Sequence, residues 1–238
     1  LLDWLAHDFR ENDWSVKNLI RKIVLSKTYR QSSLLNPSCD EKKVSFADPQ
    51  NIFLHKMPIR RLQAEAIRDS ILSFSGRIDK KLFGPSIPIY KTAFMMGRGG
   101  KKNGPLDGAG RRSIYGSVYR NFLSPFMLAF DQPAPFGTKG KRSVSNVPAQ
   151  SLTLMNDPFV ISQCKVMGEN IFQAQKQKSD SIGNLFEMIT GKPPSQADQE
   201  KLFAFLKTQT KLHGNLTEEV WSDLAHVLIN SKGFLFLN

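Results

Sequence analysis

The sequence has little cysteine, no long apolar run and fewer acidic than basic residues. Its two cysteines, Cys39 and Cys164, are too few for a disulfide framework or a four-cysteine metal site, and they allow at most one bridge. No apolar stretch approaches the roughly 20 residues that a transmembrane helix needs, so we expect no membrane-spanning segment. The chain begins at Leu1 rather than at a methionine, which favours a piece of a longer precursor.

Several common site signatures are also missing. Residues 137–143 place their glycines too close together for a phosphate-binding P-loop, and residues 97–110 lack the complete dinucleotide-binding pattern. No Gly-x-Ser-x-Gly string occurs. The four histidines form no pair one helical turn apart, and there is no Cys-x-x-Cys-His string. The sequence therefore predicts no metal site and no haem attached to this chain.

What the sequence does have is positive charge. Lysine and arginine total 33 against 21 acidic residues, which gives a formal net charge of +12 and an isoelectric point near 9.8. Such a surface attracts acidic partners, among them polyanions, anionic lipids and acidic glycans. Because no recognisable DNA-binding motif accompanies the charge, we expect nucleic acid not to be the partner.

Hydrophobic periodicity predicts a mainly α-helical protein. Apolar residues recur at helical spacing in residues 16–24, in residues 60–74 and through a C-terminal helical part, residues 157–238. Residues 34–58 and 95–111 lack this periodicity and are predicted to be long irregular loops. We expect a single-domain helical bundle over the 238 residues, with at most a short strand pair near Ile114 to Tyr119.

Local signals mark several helix ends. Ser15, Ser195 and Thr217 each precede a helical pattern, as N-cap residues do. Gly191 and Gly233 follow helical patterns, and both are predicted to end a helix in the left-handed conformation.

Two carboxylates, Glu65 and Asp69, lie one turn apart on a predicted helix. A pair of this kind could serve in acid–base catalysis. Arg61 and Arg68, however, stand at ion-pairing spacing to Glu65 along the same helix. We therefore interpret the two carboxylates as partners in helix-surface salt bridges.

Residues 111–150 concentrate arginine and tyrosine beyond what a core segment needs. Guanidinium groups are planar forks suited to carboxylate, sulfate or phosphate, and tyrosine rings can stack on a ligand. Asp131 is the expected internal counter-charge. The predicted ligand-binding residues are Arg112, Tyr115, Arg120, Asp131, Arg142, Asn146 and Gln150. The alternative interpretation is an arginine network that pins loops to the helical core.

Four strings of the sequence stand out: LLDWLA at 1–6, RLQAEAIRDS at 61–70, RSIY at 112–115 and LMNDPFV at 154–160. Together they resemble the C-terminal domain of unknown function of planctomycete secreted multidomain proteins that are associated with cytochrome c. The resemblance implies export to the periplasm, the cell surface or the exterior. It also implies a c-type haem on a separate domain of the precursor, and it supplies no catalytic residue.

Two functional hypotheses follow. In the first, the chain is a binding or scaffolding module of an exported cytochrome c-bearing protein, and its arginine-rich site holds an acidic ligand such as a glycan or the haem-bearing domain of the same precursor. In the second, it is an oxidoreductase that acts on carbohydrate-derived substrates and passes electrons to the tethered haem. The second needs a cavity where Tyr115, Arg120 and Asp131 converge. Whether the protein is an enzyme stays open at this point.

Overall fold

The structure is a computed structural model that describes residues 1–92, 95, 103–120, 122–175 and 181–237. Its described part contains eleven α-helices and one two-stranded sheet, which confirms the predicted mainly α-helical class. The elements are α1 (Leu2–Glu11), α2 (Val16–Leu25), α3 (Glu41–Ala47), β1 (Arg60–Arg61), α4 (Ala64–Phe74), α5 (Pro125–Ala129), α6 (Pro148–Asn156), α7 (Pro158–Gln175), α8 (Ser181–Thr190), α9 (Gln196–His213), α10 (Glu218–Ile229), α11 (Lys232–Leu235) and β2 (Phe236–Leu237). None of the described helices combines the length and the hydropathy that crossing a bilayer requires.

The chain divides into two compact units, Leu1–Arg60 and Arg61–Leu237. The first unit contains α1, α2 and α3, and none of these helices buries a residue. The Ser15 side chain caps α2, as its position in the sequence predicted. One domain spanning all 238 residues stays a prediction.

Helix α3 lies inside residues 34–58, which the sequence predicted to be irregular. Asp40 begins this helix, because its carboxylate accepts the backbone N–H groups of Lys42 and Lys43. The helix has seven residues and no buried face, so it leaves little periodic pattern to detect. The predicted loop 95–111 includes residues 96–102, which lie outside the described residues.

The core of the second unit lies between α7 and α10, and α4, α6 and α8 pack against this pair. Gly168 of α7 allows the close approach. A Cβ atom built there would lie 2.7 Å from the backbone nitrogen of Ser222 on α10. The largest side chains with almost no exposure include Trp221, Phe130, Ile67, Ile71, Leu72, Leu154, Met167, Leu224 and Ile229.

The strand pair predicted near Ile114 is not formed, because Ser113–Tyr115 is a turn of 3-10 helix. The residues that follow make isolated bridges, such as the parallel bridge between Ile87 and Gly116. The described strand pair is instead β1 with β2.

The predicted helix ends have mixed outcomes. Ser195 forms a capping box with Asp198, and Gly191 follows α8 with a φ of 72°, so both predictions are confirmed. Thr217 precedes α10, but its side chain makes no capping hydrogen bond. The prediction for Gly233 is wrong, because this residue lies within α11, a short helix that the sequence did not indicate.

Candidate functional site

A cavity of about 710 Å³ lies in the second unit. Small-molecule sites commonly measure roughly 300–1,000 Å³, so this volume would hold a ligand of one to a few rings. One wall is the charged face of α4, and much of the remainder is apolar or aromatic. Residues of that remainder include Ile87, Pro88, Tyr90, Val118, Tyr119, Phe122, Phe126 and Phe159.

Helix α4 presents its charged residues to the cavity because its other face is in the core. Ile67 and Ile71 are fully buried. Glu65, Arg68 and Asp69 are three and four residues apart, so they share the opposite face of the helix and line the cavity. This α4 wall thus brings one cation and two carboxylates to a single surface.

Arg68 and Asp69 tie the loop before the 3-10 turn to α4. Asp69 Oδ1 accepts the backbone N–H and the hydroxyl of Ser113, each at 2.7 Å. Arg68 donates to the carbonyl oxygens of Asp107 at 2.8 Å and Arg111 at 3.0 Å. Burial lowers the pKa of the Arg68 guanidinium, although the charges of Asp69 and Asp107 act in the opposite direction. The Arg68 guanidinium is therefore already hydrogen-bonded within the protein, and we assign it a structural role in the cavity wall.

Among the described arginines that line the cavity, Arg112 has the longest ion pair with a carboxylate of the chain. Its side chain is 47% exposed, and its Nε lies 4.0 Å from Asp69 Oδ2. Within the described part of the chain, its side chain makes no hydrogen bond. A pair this long and this exposed contributes little. Arg112 therefore offers its donors to an anion that enters the cavity.

Arg142 reaches the same cavity from a segment 77 residues further along the chain than Glu65. Its two terminal nitrogens donate to the two Glu65 oxygens at 2.7 and 3.0 Å, which is a bidentate pair. The Arg142 hydrogen bonds lower the pKa of Glu65, and the Glu65 carboxylate raises the pKa of Arg142. The pairing of Glu65 with Arg61 or Arg68 along the helix was thus a wrong prediction, because both arginines turn to other partners.

Asp131 lies in a separate cluster outside the cavity. Its carboxylate accepts a hydrogen bond from Arg61 at 2.6 Å and from the Ser145 backbone N–H and hydroxyl, each at 2.8 Å. Burial raises the pKa of Asp131, but the hydrogen bonds from Ser145 and Arg61 outweigh it and the net pKa is below the ordinary value. Gln150 joins the same cluster by donating to the Ser145 hydroxyl at 3.1 Å.

Tyr115 does not line the cavity, and its side chain contacts Phe83 and Arg111 instead. Its hydroxyl accepts the backbone N–H of Phe83 at 2.8 Å, and its ring lies 3.9 Å from the Arg111 guanidinium carbon. Arg111 is buried and donates to the carbonyl oxygens of Lys81 and Phe83, both at 2.6 Å. The sequence placed Arg111 in the arginine-rich block but only its neighbour Arg112 among the predicted ligand-binding residues, because composition does not indicate which of two adjacent arginines is buried.

Of the seven predicted residues, the structure brings Arg112 and Arg142 to one cavity. Asp131 and Gln150 form the neighbouring cluster, while Arg120 and Asn146 are exposed and do not line the cavity. The convergence of Tyr115, Arg120 and Asp131 is not found in the part of the chain that the structure describes. The sequence did not predict that Glu65, Arg68 and Asp69 line the cavity. The available signal was their position on α4, where all three lie on the face opposite the apolar stripe.

Both cysteines are free thiols, Cys39 exposed and Cys164 buried. Burial raises the pKa of the Cys164 thiol to about 12. Among residues 1–92, 95, 103–120, 122–175 and 181–237, no three His, Cys, Asp or Glu side chains are arranged to hold a metal ion.

The fold and the cavity define an α-helical protein whose candidate site combines a charged helix face with aromatic walls. The chain belongs to the family described as "PSD1: Protein of unknown function (DUF1553)", which it matches over residues 1–206. That range includes every residue that lines the cavity. No curated protein and no solved structure matches the chain.

Proposed function

We propose that this protein is a binding module whose cavity holds an acidic ligand, in particular a sugar or short glycan that carries a carboxylate. The observation that carries the proposal is Arg112, a half-exposed guanidinium on the cavity wall whose nearest carboxylate, Asp69, is 4.0 Å away. A ligand carboxylate would give it the short, charge-assisted hydrogen bonds that the chain itself does not provide.

The rest of the lining supports a ligand with both polar and apolar faces. Tyr90, Tyr119 and Phe122 lie on the cavity wall, and aromatic side chains of this kind pack well against the C–H faces of a pyranose ring. The net charge of +12 adds a favourable long-range field for an anion. An acidic sugar would use all three features at once.

We place this module in an exported precursor that carries a c-type haem on a separate domain, with that domain as a second partner. The support is the sequence resemblance of residues 112–115 and 154–160. The oxidoreductase alternative has no observation in its favour, since its three residues Tyr115, Arg120 and Asp131 lie apart.

Calorimetric titration with galacturonate oligomers and with neutral galactose oligomers tests the proposal. We expect binding of the acidic series only. Arg112→Ala should weaken it by about 10- to 100-fold, the loss expected when a hydrogen bond to a charged group is removed. The proposal would be overturned if galacturonate oligomers did not bind the wild type, or if they bound Arg112→Ala with the same affinity as the wild type.

Arg120→Ala is the matched control. It removes the same charge from an exposed arginine that does not line the cavity. If both variants lose affinity equally, the binding is nonspecific attraction to a basic surface and the cavity is not the site. If Arg120→Ala alone loses affinity, the ligand binds on the outer surface instead.

A further inference from the structure

The segment of residues 132–145, here called the strap, is a closed loop beside the cavity. Its base is fixed because Asp131, just before it, accepts the backbone N–H and the hydroxyl of Ser145 at its end. Residues 136–144 are all exposed. Cβ atoms built at Gly137 and Gly140 would meet no atom within 4 Å, so packing does little to hold this part of the strap in place.

Arg142 is the contact that fixes the strap to α4. It lines the cavity, and its fork holds both oxygens of Glu65. The Glu65 side chain remains 29% exposed and that of Arg142 41% exposed, so water and solutes reach the pair. A carboxylate that enters the cavity therefore meets an arginine that is already occupied by a carboxylate of the chain.

We infer that Glu65 competes with a second carboxylate of an oligomeric ligand, in addition to the one that Arg112 binds, and determines which anions the cavity accepts. The inference rests on the proposed function and deepens it. A ligand carboxylate exchanges with Glu65 on the Arg142 fork, Glu65 becomes hydrated, and the strap is released from α4. Exchange requires two oxygens that engage both terminal nitrogens together, which a chloride ion or a neutral sugar lacks.

Glu65→Gln tests the competition because it keeps the shape of the side chain and removes its charge. We expect galacturonate oligomers to bind the variant about 10-fold more tightly than the wild type, since a charge-assisted bidentate pair no longer has to be displaced. Glu200→Gln, an exposed site on α9 with the same charge change, should bind like the wild type. Unchanged or weaker binding by Glu65→Gln would overturn the inference.

Limited trypsin digestion supplies a second measurement that needs no ligand. Lys139 and Lys141 are exposed on the strap, and release from α4 should speed cleavage after them several-fold in Glu65→Gln. In the wild-type protein, galacturonate should speed the same cleavages. Equal cleavage rates for the wild type and Glu65→Gln refute the strap mechanism while leaving the Arg112→Ala result to judge the proposed function.

Arg142→Lys tests the same pair from the other side if Glu65→Gln does not fold. Lysine keeps the charge but lacks the planar fork. We expect faster cleavage after Lys139 without ligand and weaker galacturonate binding. If Arg142→Lys instead behaves like the wild type in both measurements, the bidentate pair does not control the strap.

Discussion

Arg61 and Asp131, 70 residues apart in the sequence, form an ion pair that is nearly sealed from water. The nitrogen and oxygen atoms are 2.6 Å apart, and the two side chains are 5% and 16% exposed. Arg61 also donates to the carbonyl oxygen of Ser145 at 3.0 Å. Asp131, predicted as the counter-charge of the arginines in residues 111–150, is thus paired with Arg61, which lies outside that region.

Asp131→Asn should destabilise the second unit by about 2 kcal/mol, because it leaves the charge of Arg61 buried without its partner. Asparagine tolerates the left-handed backbone at this position, where φ is 63°, so backbone strain is not added. Urea denaturation followed by circular dichroism measures the change. Asp13→Asn is the control, since Asp13 is exposed with a φ of 53° and has no ion pair among the described residues. Equal effects of the two substitutions would contradict the prediction.

Stability should fall in acid because of Asp131 and Glu65. Both have pKa values that their hydrogen-bonding partners hold below the ordinary range. A lowered folded-state pKa gives stability that is present above the unfolded-state pKa and is lost as the pH falls through the folded-state value. We therefore expect a plateau from pH 7 to about 5 and a loss beginning near pH 4.

The double variant Asp131→Asn, Glu65→Gln should lose less stability over the same acid range than the wild type. Burial raises the pKa of Asp157, so its contribution has the opposite sign. Asp157 is present in both proteins, and its effect cancels in the comparison. Urea midpoints measured from pH 7 to pH 3 give the two curves, and parallel curves would show that these two carboxylates do not control acid stability.

Gly168→Ala should destabilise the protein by about 3 kcal/mol, because a methyl group there would enter the backbone of α10 at Ser222 and separate two helices of the core. Thermal unfolding measures the loss. Gly137→Ala is the control, since a Cβ atom there meets no atom within 4 Å. A Gly168→Ala protein that unfolds at the wild-type temperature would mean that α7 and α10 do not pack as closely as described.

One thiol, not two, should react with a disulfide reagent in the native protein near pH 8. Burial raises the pKa of Cys164 to about 12, so little of it is thiolate, and the side chain is enclosed. Cys39 is exposed. Cys39→Ser should abolish the fast reaction, and unfolding the wild type in urea should reveal the second thiol. Two fast thiols in the folded protein would contradict the placement of Cys164.

The fold class was predictable because its signals are local. Ser15 and Ser195 act within three residues of themselves, and the apolar stripe of α4 repeats within one helix. Helix α3 was missed because it has no buried face to generate a pattern.

The site was only partly predictable, because its pairings depend on how distant segments meet. Composition indicated Arg112 and Arg142, and both line one cavity, while their binding of a ligand stays a prediction. Spacing along the helix assigned Glu65 to Arg61 and Arg68, whereas the folded chain brings in Arg142 from 77 residues away. Local patterns contain no information on which of several arginines a carboxylate will meet after folding.

The buried Arg111 side chain takes the place of the backbone hydrogen bonds that would join two strands of a β-ladder. Parallel bridges join Asp79 to Arg111 and Ile87 to Gly116, and between them the guanidinium group bonds the carbonyl oxygens of the neighbouring segment. A continuous sheet would share this task among many peptide groups. Here a single side chain joins the two segments between the bridges, so we expect its replacement to loosen this side of the cavity wall while the helical scaffold stays the same.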